Sequence, residues 1–480
     1  MIGNLRGSTR RVRVSALRTR FRSIIELTEP VHPATLAAMR RRWSELPTTA
    51  RTAAQTLGRI GVGCEGTHGV FPKCNLTCSP CYHSADANKV PTDGAHTLDQ
   101  VRRQMALLRE RRGPRAHAQL IGGEVSLLSP DDHAASLLAM RAAGREPMSM
   151  THGDFDEGYL RALVARTDGG LRLPRVSFAA HFDSLMRGRR GMPRPRVERE
   201  LNEHRAAFAL MFERVKQQTG LRYFLAHNMT VTRTNRDQVA GVVAAVRHMG
   251  YSMMSFQPAA RVGDPRRWGV DEQSVSIDEV WKQIETGMEQ PVAWQALQFG
   301  DPRCNRSAFG IVVGDTWVPL LDPAVAADLG FRDEVFNRVP AVSLSGEHPW
   351  VTVAKVFRLA LREPRLAAMS LRWSRRVVRR AGGLSTLVRA AAHREVRGLT
   401  FVVHAFMDAA TVIPAWRAME AGEVAADAET QATQERLQAC VYTMAHPDTG
   451  ELVPACVQHS VLDPVENKQL LTLLPMPTRR

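Results

Sequence analysis

The pattern of apolar segments after about residue 66 constrains the fold more than any other feature of the sequence. Short apolar segments alternate with longer stretches of helical periodicity, and six such pairs precede residue 290. This alternation is typical of repeated strand–helix units, which build a parallel sheet covered by helices. The predicted strands are 67–72, 118–121, 147–151, 175–181, 223–231 and 252–256. The first predicted helix is capped by Thr97 and Gln100. The others are 131–143, 156–166, 196–218, 235–249 and 277–288.

The segments on either side of this pattern differ from it. Residues 1–60 are rich in Arg and Ala, with apolar residues such as Leu36, Met39 and Trp43 at helical spacing, and are predicted to form a basic helical leader. No apolar core of a secretory signal accompanies the arginines of residues 6–22, and no apolar run reaches the roughly 20 residues of a membrane span. We therefore expect a cytoplasmic protein, with a strand–helix domain at 61–290 and a mixed α+β domain at 291–480.

Three cysteines lie close together directly after the first predicted strand. Cys74, Cys78 and Cys81 have C-x3-C-x2-C spacing on one loop, and the chain has seven cysteines in total. An odd number with three in one loop favours metal or cluster chemistry in a reducing compartment over a disulfide framework. Three thiolates on a [4Fe–4S] cubane leave one iron open. A Cys3His zinc site completed by His83 is the alternative, although zinc ligands normally come as two separated pairs.

A Gly-Gly-Glu turn ends the second predicted strand. Gly122 and Gly123 allow the backbone to approach a ligand, and the Glu124 carboxylate can accept from an ammonium group. With the cysteine loop one strand earlier, the chain resembles the radical S-adenosylmethionine (SAM) superfamily. The resemblance implies a partial (β/α)6 barrel, a cluster whose open iron binds SAM, and electron transfer that yields a 5′-deoxyadenosyl radical. It also implies that the Gly-Gly-Glu turn binds the SAM amino group, although Pro80 replaces the usual aromatic residue.

The resemblance assigns three further polar residues to the SAM pocket. Asp183 follows the strand at 175–181 and is similar to the polar residue that the family places near the SAM ribose. Asn228 and Thr230 lie in the fifth predicted strand, where it lines that pocket. An Asp at this position could instead be a helix cap.

Four cysteines lie outside the loop. Cys64, Cys304, Cys440 and Cys456 match the number of ligands that a second [4Fe–4S] cluster requires. Residues 440–456 are predicted to form a hairpin whose Asp-Thr-Gly turn brings its end cysteines together. Cys64 is equally compatible with a small buried hydrophobic residue.

The C-terminal segment, with the preceding 401–409 stretch, resembles the tetraether synthase group of radical SAM proteins. That group modifies lipid chains and carries auxiliary clusters, but its rubredoxin-like N-terminal cysteines are absent here. The resemblance implies hydrogen abstraction from an acyl chain, followed by C–C bond formation or methylation, with an electron donor such as flavodoxin or ferredoxin.

The charge of the chain indicates an anionic partner. The formal net charge is +16, and residues 358–397 contain eleven arginines against two glutamates. A helix beginning at Pro364 combines Leu366, Trp373 and Val377 with arginines, and could lie on the inner face of a membrane with Trp373 among the headgroups. A solvated helix is equally compatible.

Three other functions remain open. A tRNA-modifying enzyme is disfavoured because aromatic residues form 6% of the chain and only Trp373 interrupts the arginine run. A peptide-modifying enzyme with a SPASM-type domain would need more closely spaced cysteines than this tail has. A basic, membrane-associated iron–sulfur scaffold is the non-enzymatic alternative.

Overall fold

One sheet organises the computed structural model, which describes residues 24–83, 85–166, 168–268, 275–344 and 348–474. Its eleven strands follow the order β10-β9-β11-β8-β7-β5-β4-β3-β1-β12-β13, and β2 and β6 form a separate small sheet. The strands are β1 Cys64–Gly66, β2 Thr77–Cys78, β3 Ala116–Leu120, β4 Arg145–Thr151, β5 Arg175–His181, β6 Met186–Arg187, β7 Arg222–Val231, β8 Met253–Pro258, β9 Asn305–Val313, β10 Thr316–Pro319, β11 Val396–His404, β12 Tyr442–His446 and β13 Glu451–Pro454.

Helices connect and cover these strands. They are α1 Pro33–Glu45, α2 Gly94–Arg112, α3 Pro130–Ala142, α4 Glu157–Val164, α5 Asn202–Thr219, α6 Val239–Val246, α7 Ile277–Met288, α8 Ala326–Arg338, α9 Pro349–Arg362, α10 Pro364–Arg380, α11 Leu384–Ala392, α12 Ala409–Glu420, α13 Ala428–Gln438 and α14 Asp463–Leu473. A short helical turn, Ala455–Val457, and a wider turn, Gln458–Leu462, precede α14.

The centre of the sheet is parallel and follows the chain. Strands β1, β3, β4, β5, β7 and β8 are consecutive neighbours, paired in parallel, with helices α2 to α6 in the connections. The predicted α/β class is therefore confirmed. The sheet is wider than the six predicted strands, because β12 and β11 add to its edges in parallel.

Residues after 290 extend this sheet at both edges. β9 and β10 continue it beyond β11, and β13 continues it beyond β12, all in antiparallel pairing. The two flanks then approach each other, since the rings of His404 and Tyr442 lie 6.3 Å apart. The sheet is thus curled, with its flanks joined by C-terminal residues. The domain boundary at 290 remains a prediction, and it does not separate two sheets.

The core lies between the sheet and its helices. Phe178 and Leu225 on the strands pack with Phe212 of α5 and Val243 of α6, and all four are buried. Helix α1 begins after His32, whose side chain accepts from the amide of Ala34. Predicted apolar positions of the leader, such as Met39, are buried there. The arginines between 6 and 22 lie outside the described residues.

Two local predictions were wrong. The first strand is Cys64–Gly66 rather than 67–72, because residues 70 and 71 bury their side chains from a loop and so imitate a strand. Helix α2 is not capped by Thr97. It begins at Gly94, with the Asp93 carboxylate accepting from the amide of His96, and the Thr97 hydroxyl donates to the backbone oxygens of Val70 and Asp93.

The basic helix also differs from its prediction. Helix α10 begins at Pro364 as expected, but Trp373 packs on Phe331, with ring centroids 5.2 Å apart, and its indole donates to the Leu320 carbonyl at 2.7 Å. Asp328 binds Arg376 and Arg380. Trp373 thus faces the protein, and its predicted place among headgroups was wrong, because the apolar side of α10 packs against α8 and the end of β10. No helix in the described part of the chain is long and apolar enough to cross a bilayer.

Candidate functional site

The cysteine loop lies beyond the carboxyl end of β1 and is fixed from three sides. Cys78 lies in β2 and pairs with Met186 of β6. The Cys74 amide donates to the Asn88 side-chain oxygen at 3.0 Å, and the Ser79 hydroxyl donates to the Arg267 carbonyl at 3.2 Å. Ligands of parallel sheets gather at this end of the strands. The loop is therefore fixed where a cofactor would bind.

The three thiols lie near one another and are partly buried. Burial raises the pKa of Cys74 to about 12, and it raises the pKa values of Cys78 and Cys81. A charge on one thiol raises the pKa of another within this group, whereas the nearby Arg267 lowers all three. Three thiolates here thus require a cation, and a bound cluster would supply iron while protons are released.

The spacing of these thiols argues against zinc. A tetrahedral zinc ion with sulfur ligands at ~2.3 Å would hold them roughly 3.8 Å apart. Among the described residues, the three sulfur atoms do not all lie within 4.8 Å of one another. The group that meets this distance contains two histidines and a glutamate elsewhere in the chain. The His83 ring is held by the Gly122 carbonyl, which accepts from its Nε2 at 2.5 Å. The larger [4Fe–4S] cubane fits three thiols on one loop better.

The two glycines of the Gly-Gly-Glu turn hold the cysteine loop in place. The Gly123 amide donates to the Phe71 carbonyl at 2.7 Å, and the Glu124 amide donates to the Lys73 carbonyl at 2.9 Å. A Cβ atom on Gly123 would lie 2.1 Å from the Lys73 carbonyl oxygen, and one on Gly122 would lie 2.6 Å from the Phe71 ring. The glycines are required for this close approach.

The Glu124 carboxylate is already occupied by protein donors. It is buried and accepts from the Ser126 amide, the Thr151 hydroxyl and the His152 amide at 2.7–2.9 Å. The His152 Nε2 contacts the Asn75 side-chain oxygen at 2.7 Å, and burial lowers the pKa of His152. Glu124 therefore joins the ends of β3 and β4 to the cysteine loop. Its predicted contact with the SAM ammonium group remains a prediction.

Asp183 forms a network with two residues of neighbouring strands. Its carboxylate lies 2.8 Å from His181 Nε2 and accepts from the amides of Thr230 and Leu185. Burial opposes ionisation, but the His181 contact and these amides lower the pKa of Asp183. The Thr230 hydroxyl also contacts His181 Nε2, at 2.9 Å. The predicted residues Asp183 and Thr230 are thus brought together through His181, whose side chain is partly exposed.

Asn228 presents an unused acceptor at this end of the sheet. It is 2% exposed, and its side-chain oxygen has no hydrogen-bond partner among the described residues. In the sheet it lies between His181 of β5 and Ser255 of β8. A buried amide oxygen without a donor is costly, so a ligand donor such as an SAM amino or hydroxyl group fits this position.

A small, open cleft lies beside the cysteine loop. Tyr82, His83, Gly122, His459, Asp463 and Asn467 contribute to its walls. His459 Nδ1 lies 2.6 Å from the Asp463 carboxylate, and this contact lowers the Asp463 pKa although burial opposes it. His83 Nδ1 and the Asn467 amide nitrogen are buried and have no hydrogen-bond partner among the described residues. The C-terminal segment therefore supplies a polar wall within reach of a ligand at the loop.

The remaining cysteines come together only in part. Charge on Cys440 or Cys304 raises the pKa of Cys456, so these three thiols are neighbours. The predicted hairpin is present as β12 and β13. Cys64 packs beside Cys440 around Tyr442, but its sulfur accepts from the Gln119 amide at 3.4 Å. Arg436 donates to the sulfur of Cys304 at 3.1 Å.

Several residues of the site were missed from the sequence. His152 and His181 follow or end predicted strands, so their position at the carboxyl ends could have revealed them. Arg267, His459, Asp463 and Asn467 lie in segments far from the loop in sequence, and no local pattern distinguishes them.

Comparisons with known proteins give weak similarities. No family model matches the chain, and no curated protein matches it. Among solved structures, Streptococcus suis SuiB is similar at 13% identity and a TM-score of 0.31, over 47% of this chain and 46% of that chain. The protein anSMEcpe with bound AdoMet is similar at 13% identity and a TM-score of 0.32, over 47% and 59%. The chain spans about half the length of these proteins.

Proposed function

We propose that the chain is a radical SAM enzyme. The proposal rests on the position of Cys74, Cys78 and Cys81 on one loop. The Gly-Gly-Glu turn holds the start of this loop through backbone hydrogen bonds. The unpartnered oxygen of Asn228, at the same end of the sheet, supports a ligand beyond the cluster. A zinc site or an unliganded loop would leave the unpartnered Asn228 oxygen unexplained.

Each part of the chain then has a defined task. The cysteines would hold three irons of a [4Fe–4S] cluster and leave the fourth for SAM, whose reductive cleavage supplies the hydrogen-abstracting radical. Asn228 accepts a hydrogen bond from SAM, and the partly buried Tyr82 forms part of the cleft wall beside the loop. A small one-electron donor such as flavodoxin or ferredoxin would reduce the cluster.

The proposed substrate is a lipid acyl chain, modified by C–C bond formation or methylation. Support comes from an apolar stripe on α9, formed by Trp350, Val353, Phe357 and Leu361, which are 50%, 67%, 63% and 67% exposed. These positions are three or four residues apart and so share one helix face. Such a face, unpartnered in the described chain, fits the acyl boundary of a membrane.

Exposed arginines accompany this stripe. Within the described ranges, six exposed arginines of α10, α11 and the following turn have no ion-pair partner: Arg365, Arg372, Arg375, Arg379, Arg389 and Arg394. Each could contribute about 1 kcal/mol to binding an anionic lipid surface. A nucleic acid would use the arginines but not the apolar stripe, so the combination favours a membrane.

The first experiment tests the reaction. Anaerobic reconstitution with iron and sulfide, followed by dithionite and SAM, should yield 5′-deoxyadenosine from the wild-type chain. The triple variant C74A/C78A/C81A should yield none. Equal product from both, or none from the wild type under several reductants, would contradict the proposal.

The second experiment tests the substrate surface. Co-sedimentation with liposomes containing anionic lipid should retain the wild type and lose the F357E variant. The matched control is L210E, because Leu210 is also an exposed apolar residue (57%) on a helix, α5, that is remote in sequence from the arginines. Equal binding of both variants, or tight binding of tRNA or peptide without liposome binding, would contradict the lipid substrate.

We also propose that Cys304, Cys440 and Cys456 hold a second [4Fe–4S] cluster. The shared surroundings of these thiols support it. Cys64 is the fourth candidate ligand, although it lies against Gln119.

A further inference from the structure

Three residues outside the cysteine groups bring ligand atoms together. His68 follows β1, His446 ends β12, and Glu466 lies in α14. Their ligand atoms all lie within 4.8 Å of one another, and all three side chains are partly buried. The histidine rings are stacked, with centroids 4.0 Å apart. Neither the cluster nor the SAM site uses these residues.

The outer hydrogen bonds determine which ring nitrogens are free. His68 Nε2 lies 2.8 Å from the Ala445 carbonyl, which can only accept, so Nε2 carries a proton. His446 Nε2 lies 2.6 Å from the Gln458 side-chain oxygen. The Gln458 amide group donates to the carboxylates of Asp463 and Glu466, so its oxygen must be the atom that faces His446.

When both rings are neutral, each imidazole therefore directs an unprotonated Nδ1 towards the same carboxylate. His68 Nδ1 lies 2.9 Å from Glu466 Oε2, and His446 Nδ1 lies 3.5 Å from Glu466 Oε1. The lone pairs of the two nitrogens and the negatively charged carboxylate repel one another unless a cation lies between them. Zinc with ligands at ~2.0–2.1 Å in a tetrahedron separates them by roughly 3.3 Å, and the two observed distances lie on either side of this value.

We propose that His68, His446 and Glu466 bind a divalent transition-metal ion of the Zn²⁺ class. A site of two histidines and one glutamate leaves a fourth position open for water or a substrate group. Ala445 and Gln458 provide the outer partners that orient metal-binding histidines. The ion joins β1, β12 and α14, and so fixes the C-terminal wall of the cleft beside the cysteine loop. This inference does not depend on the radical SAM proposal.

Cobalt(II) titration of the full, cluster-reconstituted and chelator-washed chain tests the site. Wild type should bind a single equivalent with ligand-field bands and no thiolate-to-cobalt charge transfer. H446A should lose this binding, whereas H248A, which removes an exposed histidine elsewhere, should retain it. E466Q keeps the shape of the side chain and should also lose the metal, which separates ligation from folding. Q458A should weaken affinity by about 10–100-fold.

A second readout follows the structure around the site. Hydrogen exchange of α14 should slow when zinc is added to wild type and to H248A, and should not change in E466Q. No cobalt uptake by wild type would overturn the proposal, because a proton on His68 Nδ1 would then account for its short contact with Glu466. Uptake that persists in both H446A and E466Q would overturn it as well.

Discussion

The chain contains two groups of three neighbouring cysteines, and they are built in opposite ways. Cys74, Cys78 and Cys81 lie on one loop and are held by backbone hydrogen bonds and by glycines without side chains. Cys440 and Cys456 lie at the two ends of one hairpin, whereas Cys304 comes from a distant segment, and they meet where the flanks of the sheet approach each other. The first group is local in sequence, and the second exists only after the sheet has curled.

The difference determines what each group can do. A loop of three thiols leaves one iron of a cubane open for SAM. In the C-terminal group, Arg436 contacts Cys304 and the Met407 amide contacts Cys456, so two of the thiols already accept hydrogen bonds from the protein. We therefore expect the loop to perform the chemistry and the C-terminal group to be dispensable for SAM cleavage.

The largest expected effect separates the two groups directly. C78A should reduce formation of 5′-deoxyadenosine to the detection limit, because the cluster loses a ligand. C456A should retain this activity, since Cys456 is not a ligand of the proposed loop cluster and its neighbours are Cys440 and Cys304. The measurement is product quantification after anaerobic reduction, and equal losses in both variants would remove the proposed difference.

The next largest effect concerns the packing of the cysteine loop against the Gly-Gly-Glu turn. G123A places a Cβ atom 2.1 Å from the Lys73 carbonyl oxygen, so the loop must move. We expect a loss of about 1–3 kcal/mol in the free energy of unfolding, together with lower cluster content. G241A is the matched control, because its Cβ would meet nothing within 4 Å and a helical glycine gains about 0.5–1 kcal/mol on replacement by alanine. Wild-type cluster content in G123A would contradict this account.

A smaller effect concerns SAM binding beside the loop. N228A removes an oxygen that no described residue uses, so stability should change little while the KM for SAM rises by up to about tenfold. N235A is the comparison, because the Asn235 side chain donates to Glu198 and to the Thr230 carbonyl. That variant should lose about 1–3 kcal/mol of stability. Thermal unfolding measures the stability of both variants, and SAM titration measures their SAM binding. The reverse pattern would contradict the proposed role of Asn228.

The smallest effect is the iron content of the second group. Wild type should contain about eight irons per chain after reconstitution, and C304A about four. C64A distinguishes the fourth candidate ligand: iron that stays near eight removes Cys64 from the second cluster. A wild-type value near four would mean that the C-terminal thiols bind no cluster.

The sequence revealed much of the sheet because its central strands are buried and regular. Strand β5 and helix α7 have the predicted bounds, since their apolar residues recur with the period of each element. The places of β11 and β12 in the sheet were not predicted, because their pairing with β8 and β1 joins residues far apart in sequence. β1 was misplaced because it has three residues and the following loop is as apolar as a strand.

The site divides in the same way. The cysteine loop and the Gly-Gly-Glu turn could be found from spacing, because both are local. The partners of Glu124 and Asp183 could not, since they lie on neighbouring strands. The prediction for Trp373 failed because an amphipathic helix has the same pattern whether its apolar side meets lipid or protein.

The electron paramagnetic resonance spectrum of the dithionite-reduced chain, with and without SAM, tests the central claim most directly. If the loop holds a cluster with an open iron, SAM should change the cluster signal, and nitrogen-labelled SAM should show coupling to it. C456A should show the same change. A signal that SAM leaves unaltered in the wild type would contradict the assignment of Cys74, Cys78 and Cys81 to a SAM-binding cluster.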